Sequence, residues 1–167
     1  IEPNPKTSYR REITWGVFNE KANRFANLLL QRGVKKGDKV AILMMNGLEW
    51  LPLYSGILKT RGLAVPLNFR YSSEEIEYCV NLAEVDILVF SNAFIGRVEE
   101  IADRISKGRL LIYVGEGFPG FADDYNSLSA NCSSQSPMIA LTDEDYAAIY
   151  FSSGTTGFPK AILHKHK

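Results

Sequence analysis

Short apolar runs that alternate with segments of helical apolar spacing constrain the fold of this chain more than any other feature. The first run is Lys39 to Met44, in which Val40, Ala41, Ile42 and Leu43 stand side by side. A strand that is apolar on both faces needs cover on both faces, as a parallel strand between two helical layers has. Leu63 to Pro66, Asp86 to Phe90 and Arg109 to Val114 repeat the pattern. Between the runs lie helical segments. Thr14 suits the cap of a helix from Trp15 to Arg32, with Phe18, Ala22, Phe25, Ala26 and Leu29 on one face. Gly33 fits the left-handed position just past its end. A second helix runs from Leu48 to Arg61 and ends at Gly62, and a third opens at Ser73, with Ile76, Cys79, Val80 and Ala83 sharing a face. A fourth spans Phe94 to Ile105. Strand and helix in turn, tightly connected, predict an α/β fold: a layered, mostly parallel sheet flanked by helices.

Gly115 to Pro137 breaks the rhythm with Gly, Pro, Ser and Asn, and holds one short helical turn near Tyr125 to Leu128. Here the chain is expected to leave the first sheet. The organisation is therefore read as a first α/β subdomain over residues 1–114, an irregular connection over 115–142, and the start of the next subdomain over 143–167. That last part holds a strand from Ala147 to Phe151, a loop from Ser152 to Lys160 and an apolar start at Ala161, Ile162 and Leu163.

Composition narrows the function. Nineteen basic residues balance nineteen acidic ones, so no overall charge draws the chain to nucleic acid or anionic lipid. No apolar run approaches the roughly 20 residues of a membrane span. No basic-then-apolar leader opens the chain, and a cytoplasmic location is expected. Cys79 and Cys132 lack the spacing of metal ligands, and Cys79 reads as a small buried apolar residue.

The chemistry concentrates in Ser152, Ser153, Gly154, Thr155, Thr156, Gly157, Phe158, Pro159 and Lys160. Glycines let successive backbone N–H groups turn toward one centre, an anion-binding nest. The hydroxyls add donors without charge, Lys160 supplies the cation a polyphosphate requires, and Pro159 stiffens the return. By composition alone an ordinary hairpin connection competes equally with a phosphate loop. The common nucleoside triphosphatase pattern does not apply, because Pro159 precedes Lys160 and Ala161 follows it.

The order of these residues resembles the Ser/Thr-Gly-Thr-Thr-Gly-x-Pro-Lys loop of the AMP-forming acyl-CoA synthetases, luciferases and peptide-synthetase adenylation domains. Ile13-Thr14-Trp15, Gly33 to Ile42, Asn46 to Trp50 and Gly62 to Asn68 are similar to earlier landmarks of that family, in order along nearly the whole chain. Ala161 departs from the family, which usually has glycine there. The resemblance implies a two-step ligase: a carboxylate attacks the α-phosphate of ATP, and CoA then displaces AMP from the acyl-adenylate. It implies that Ser152 to Lys160 hold the β- and γ-phosphates, with the Ser152 hydroxyl near magnesium. It also implies that the chain is the N-terminal part of a longer enzyme. The family's adenine, ribose, magnesium-glutamate and acyl-binding parts, and its adenylation lysine, would follow Lys167. No catalytic residue is then expected within these 167 residues, and alone they are expected to be inactive.

A fatty or aromatic acid is the expected substrate class. The alternatives are another adenylate-forming enzyme of peptide-synthetase or luciferase type, a nucleotide-binding module without catalysis, and an α/β interaction domain. Self-association is left open. His164 and His166 alternate as a metal-binding pair would, but lack a third ligand; His166 matches a histidine that often follows the loop in the family. Arg10-Arg11 and Lys35-Lys36 read as solvated charge.

Overall fold

The computed structural model describes residues 2–3, 10–105, 108–117, 119–152, 157 and 159–167. Strands β1 (Glu2–Pro3) and β2 (Arg10–Arg11) pair antiparallel at the start of the chain. Helix α1 (Trp15–Gln31) follows, capped by the Thr14 hydroxyl, which accepts from the Val17 N–H at 3.2 Å. Its end is a Schellman turn: Val34 N–H donates to Leu29 O and Gly33 N–H to Leu30 O, both at 3.0 Å, with Gly33 at φ 85°. Buried Val34 and Leu29 are the residues that motif brings together.

Strands β3 (Lys39–Leu43), β4 (Leu63–Pro66), β5 (Ile87–Ser91) and β6 (Leu110–Val114) are all parallel and match the apolar runs to within a residue or so. Helix α2 (Trp50–Leu58) joins β3 to β4, and α3 (Ser73–Leu82) joins β4 to β5. A 3₁₀ turn (Asn92–Phe94) and α4 (Ile95–Ile105) lead to β6. Helix α3 starts on a capping box, in which the Ser72 hydroxyl accepts from Glu75 N–H and the Glu75 carboxylate accepts from Ser72 N–H.

Two apolar layers result. Val40, Ile42, Val89 and Ile112 meet α1 and α2, whereas Ala41, Leu43, Leu88 and Phe90 meet α3 and α4. Cys79 is buried in the second layer, as expected. Gly56 lets α2 press on α1: a Cβ there would lie 2.8 Å from the Ala22 carbonyl oxygen and 3.0 Å from the Phe25 ring.

Two expectations are corrected. The helix over 48–61 begins at Trp50, and the left-handed residue at its end is Arg61 (φ 62°), not Gly62. Nor does the chain leave the sheet after Val114. Strand β7 (Asp123–Asp124) extends the sheet beside β6, and α5 (Tyr125–Ser129) packs on α1. The chain then crosses to the opposite edge, where β8 (Tyr146–Ser152) lies parallel to β4 and β9 (Lys160–Lys165) runs back antiparallel. The order is β7-β6-β5-β3-β4-β8-β9.

Polar side chains of α1 hold this crossing in place. Asn23 Nδ2 donates to Ser134 O at 2.8 Å, and Arg24 Nη1 to Cys132 O at 2.7 Å. Asn27 Nδ2 donates to Ser133 O at 2.8 Å and Gln135 O at 2.9 Å. Backbone carbonyls of an irregular segment need donors, and α1 supplies them from the rim of its buried face. Among the described residues no helix is long and apolar enough to cross a membrane.

Candidate functional site

Because β8 is parallel to β4, its carboxyl end, Ser152, lies at the sheet edge where the other parallel strands also end. Ligands of open α/β sheets bind at that edge. The apolar start expected after the loop is β9, so the loop bridges a hairpin whose last registered pair is Ser152 with Lys160. The loop is thus a hairpin connection, at the place where a phosphate loop is expected.

Strand alternation sorts the hairpin's side chains. Ala148, Tyr150 and Ser152 share a face with their partners His164, Ile162 and Lys160, and buried Ala148 marks it as the α1–α2 face. Ser152 and Lys160 therefore stand side by side at the loop's mouth, with Lys160 exposed and Ser152 half-buried. Pro159 is buried, and Gly157 has φ 116°, a backbone state that side-chain-bearing residues rarely adopt. Ser153, Gly154, Thr155, Thr156 and Phe158 lie outside the described residues.

Beside the mouth, the Tyr150 and Tyr54 hydroxyls are 2.7 Å apart. The Tyr54 ring stacks on Trp50, with centroids 5.4 Å apart and planes 10° apart, and Tyr150 meets the His164 ring edge-on at 5.0 Å. Burial first, and then the Tyr150 hydroxyl, push the Tyr54 phenol well above its ordinary pKa, so it remains protonated at neutral pH.

The base of the hairpin carries the charge. Asp145 is 3% exposed and accepts from Lys36 Nζ at 2.5 Å, Arg61 Nη2 at 2.9 Å and Thr142 N–H at 3.0 Å. Arg61 foremost, then Lys36, hold its carboxyl far below the usual carboxylate range. Two groups read as solvated charge are exposed but also paired: Lys36 with Asp145, and Arg11 with Glu49 at 2.7 Å. Lys35 contributes its backbone N–H to Asp38 at 2.7 Å. Glu144 accepts from Lys165 and Lys167, which lower its pKa in that order.

His164 is exposed on β9, while His166 lies past the strand, its N–H donating to Asp145 O at 3.1 Å. No group of three metal-ligating side chains exists among the described residues. A depression of about 1010 Å³ opens between the starts of α1 and α2, lined by Trp15, Phe18, Leu48, Trp50 and Leu51. Among the described residues that line it, the charged one is Glu12.

Tyr54, Tyr150, Arg61, Lys36 and Asp145 have no part in the site as read from the sequence. The one local signal was Arg61 before Gly62, where the break belongs to the arginine.

The sequence pattern described as "AMP-binding enzyme" matches residues 4–167. The medium/long-chain-fatty-acid–CoA/3-oxocholest-4-en-26-oate–CoA ligase of Mycolicibacterium smegmatis is 31% identical over 162 residues, covering 93% of this chain and 29% of that protein. The crotonobetaine/carnitine–CoA ligase of Salmonella paratyphi B is 33% identical over 162 residues, 93% of this chain and 31% of its own length. The crystal structure of the anthranilate CoA ligase AuaEII with anthranoyl-AMP superposes with a TM-score of 0.88 at 28% identity, over 93% of this chain and 30% of that one. The chain thus spans about a third of the length of these relatives, and its fold matches the corresponding part of the anthranilate CoA ligase structure.

Proposed function

The chain belongs to the AMP-binding enzyme family, and from that premise we propose that it is part of an ATP-dependent acyl-CoA synthetase whose phosphates are held by residues 152–160. The full-length protein activates a carboxylic acid as acyl-adenylate, releases pyrophosphate and passes the acyl group to CoA. The observation that carries this reading is the placement of Ser152 and Lys160 together, on one face, at the mouth of the β8–β9 loop.

The donor set fits a polyphosphate. Lys160 is an exposed cation at the loop's return, Ser152 offers a hydroxyl across from it, and Gly157 takes a positive φ that favours glycine. Ser153, Gly154, Thr155, Thr156, Phe158 and Pro159 complete the loop in this proposal. When bound with ATP, magnesium would neutralise phosphate charge, and the Ser152 hydroxyl is its proposed ligand here. The loop's task is to orient the leaving pyrophosphate and to offset the charge developing on it. Residues 143–167 are proposed to open the next subdomain while their hairpin completes the first sheet.

The substrate is proposed to be a fatty acid, on the name of the Mycolicibacterium smegmatis relative. The relatives differ in their acids, so the loop carries the nucleotide step and not the acid's identity. The test is ATP–pyrophosphate exchange by the full-length protein with magnesium and a panel of fatty, aromatic and short polar acids. Exchange that depends on a fatty acid supports the whole reading. Exchange with another acid class alone overturns the substrate, and exchange with none overturns the ligase. ATP binding without exchange would favour a nucleotide-binding module.

A further inference from the structure

The β8–β9 hairpin forms one edge of the sheet, with β8 parallel to β4 at Ala64 and Ala148 and β9 outermost. Ser152 lies four residues beyond that pair, about 13 Å along the strand, so a small tilt of β8 displaces the loop by an ångström or so.

Side chains secure the strand on both sides of Ala148. Toward its base, Asp145 is buried and receives both Lys36, from the α1–β3 turn, and Arg61, from the α2–β4 turn. Arg61 holds a left-handed φ of 62° without being glycine. Such a state costs energy and persists only where surrounding contacts enforce it. The Asp145 carbonyl oxygen also receives the His166 N–H, so both strands of the hairpin are held together at this end. Toward the loop, Tyr150 meets Tyr54, and Tyr54 is braced by its stack on Trp50. The anchors thus come from α2 and the two turns that precede β3 and β4.

The geometry points to Arg61 and Tyr54 as positioning residues, which clamp the hairpin at its two ends and so fix where Ser152 and Lys160 stand relative to the sheet. The inference rests on the reading of residues 152–160 as a phosphate loop, since a clamp matters to chemistry only if the loop carries it. Neither residue touches the phosphates; each acts through β8. Orientation at a reacting centre is steep in its consequences, and a misplacement near 1 Å costs on the order of a hundredfold.

The experiment compares full-length Arg61→Gly, Tyr54→Phe and the double variant with the parent. Glycine tolerates φ 62°, so Arg61→Gly removes the guanidinium without straining the turn. Tyr54→Phe keeps the ring on Trp50 and removes only the hydroxyl. Hydrogen exchange without nucleotide is read over residues 146–165, together with steady-state kinetics in ATP and in the acid. The expected result is faster exchange in the hairpin with β3 and β5 unaltered. With it, kcat/KM for ATP falls roughly ten- to a hundredfold in the double variant, while KM for the acid stays where it was. Arg61→Lys, which keeps a cation for Asp145, restores part of the loss. Unaltered hairpin exchange in the double variant overturns the clamp. Faster exchange with unaltered ATP kinetics overturns its positioning role, as does an equal loss in ATP and acid terms. If the parent protein shows no ATP-dependent reaction, the ligase reading fails by itself, and exchange still decides whether the clamp exists.

Discussion

Lys160 and Asp145 divide the work of charge in this chain. Lys160 stands exposed at the loop mouth, whereas Asp145 is buried at the base with two cations. In the full-length protein, Lys160→Ala is expected to slow ATP–pyrophosphate exchange by about 2–4 kcal/mol of transition-state stabilisation, as removal of an oriented charge contact does. Lys160→Arg should recover only part, because a planar fork differs in shape from a compact ammonium. An unchanged exchange rate in Lys160→Ala, with loss of acid affinity instead, would refute its assignment to phosphate. For Asp145 the prediction concerns pH. Its carboxyl is depressed in the folded chain, so its stabilising effect is fully present above the unfolded carboxylate pKa, about 3.9, and is lost as pH falls toward the folded value. The stability gap between the parent and Asp145→Asn should therefore be widest near neutrality and close in acid, as denaturant midpoints across that range would show. Lysine in the loop was legible because its neighbours repeat a known order. Asp145 was not, since its partners are 109 and 84 positions away in the chain (145 − 36 and 145 − 61), and no local pattern links them.

At the element scale, helices α1 and α3 announce themselves through caps. Thr14, Gly33 and Ser72 with Glu75 are local devices, and a local device is readable wherever its residues are adjacent. Ser72→Ala is accordingly expected to cost about 1 kcal/mol, measured as a lower thermal midpoint. Gly56 tests the opposite case. On an exposed helix Gly→Ala stabilises by about 1 kcal/mol, yet here the added carbon meets the Ala22 carbonyl at 2.8 Å. Gly56→Ala should therefore destabilise by about 1–3 kcal/mol, the usual cost of overpacking. A raised midpoint would mean that α1 and α2 can part without penalty. The end of α2 was misread because glycine is the common left-handed residue, and Arg61 takes that state through a tertiary ion pair instead. The crossing over 132–135 was equally hidden, because Asn23, Arg24 and Asn27 read as the polar rim of an amphipathic helix until the carbonyls they serve are in place.

For the whole molecule, the span of about a third of the relatives' length leads to a direct prediction. The 167-residue polypeptide alone should release no pyrophosphate from ATP with any carboxylic acid, because catalysis needs all its groups placed together. Turnover above background by the purified chain would refute it. Apolar runs and helical periodicity were enough to specify a mostly parallel α/β sheet, since burial on one face or two is written in spacings of a few residues. The order of residues 152–160, proposed as a phosphate loop, was likewise complete in the sequence, because that resemblance rests on adjacent residues. Strand order was decided only in three dimensions. Nothing local distinguishes a β8 that begins a new sheet from one that crosses back to pair with β4, for that choice depends on which edge has unsatisfied backbone groups and what can carry the chain there. The same holds for the contacts that brace the loop: Arg61, Lys36 and Asp145, and Tyr54 with Tyr150, meet through folding alone, because electrostatic and hydroxyl partners are set by distance in space and not along the chain.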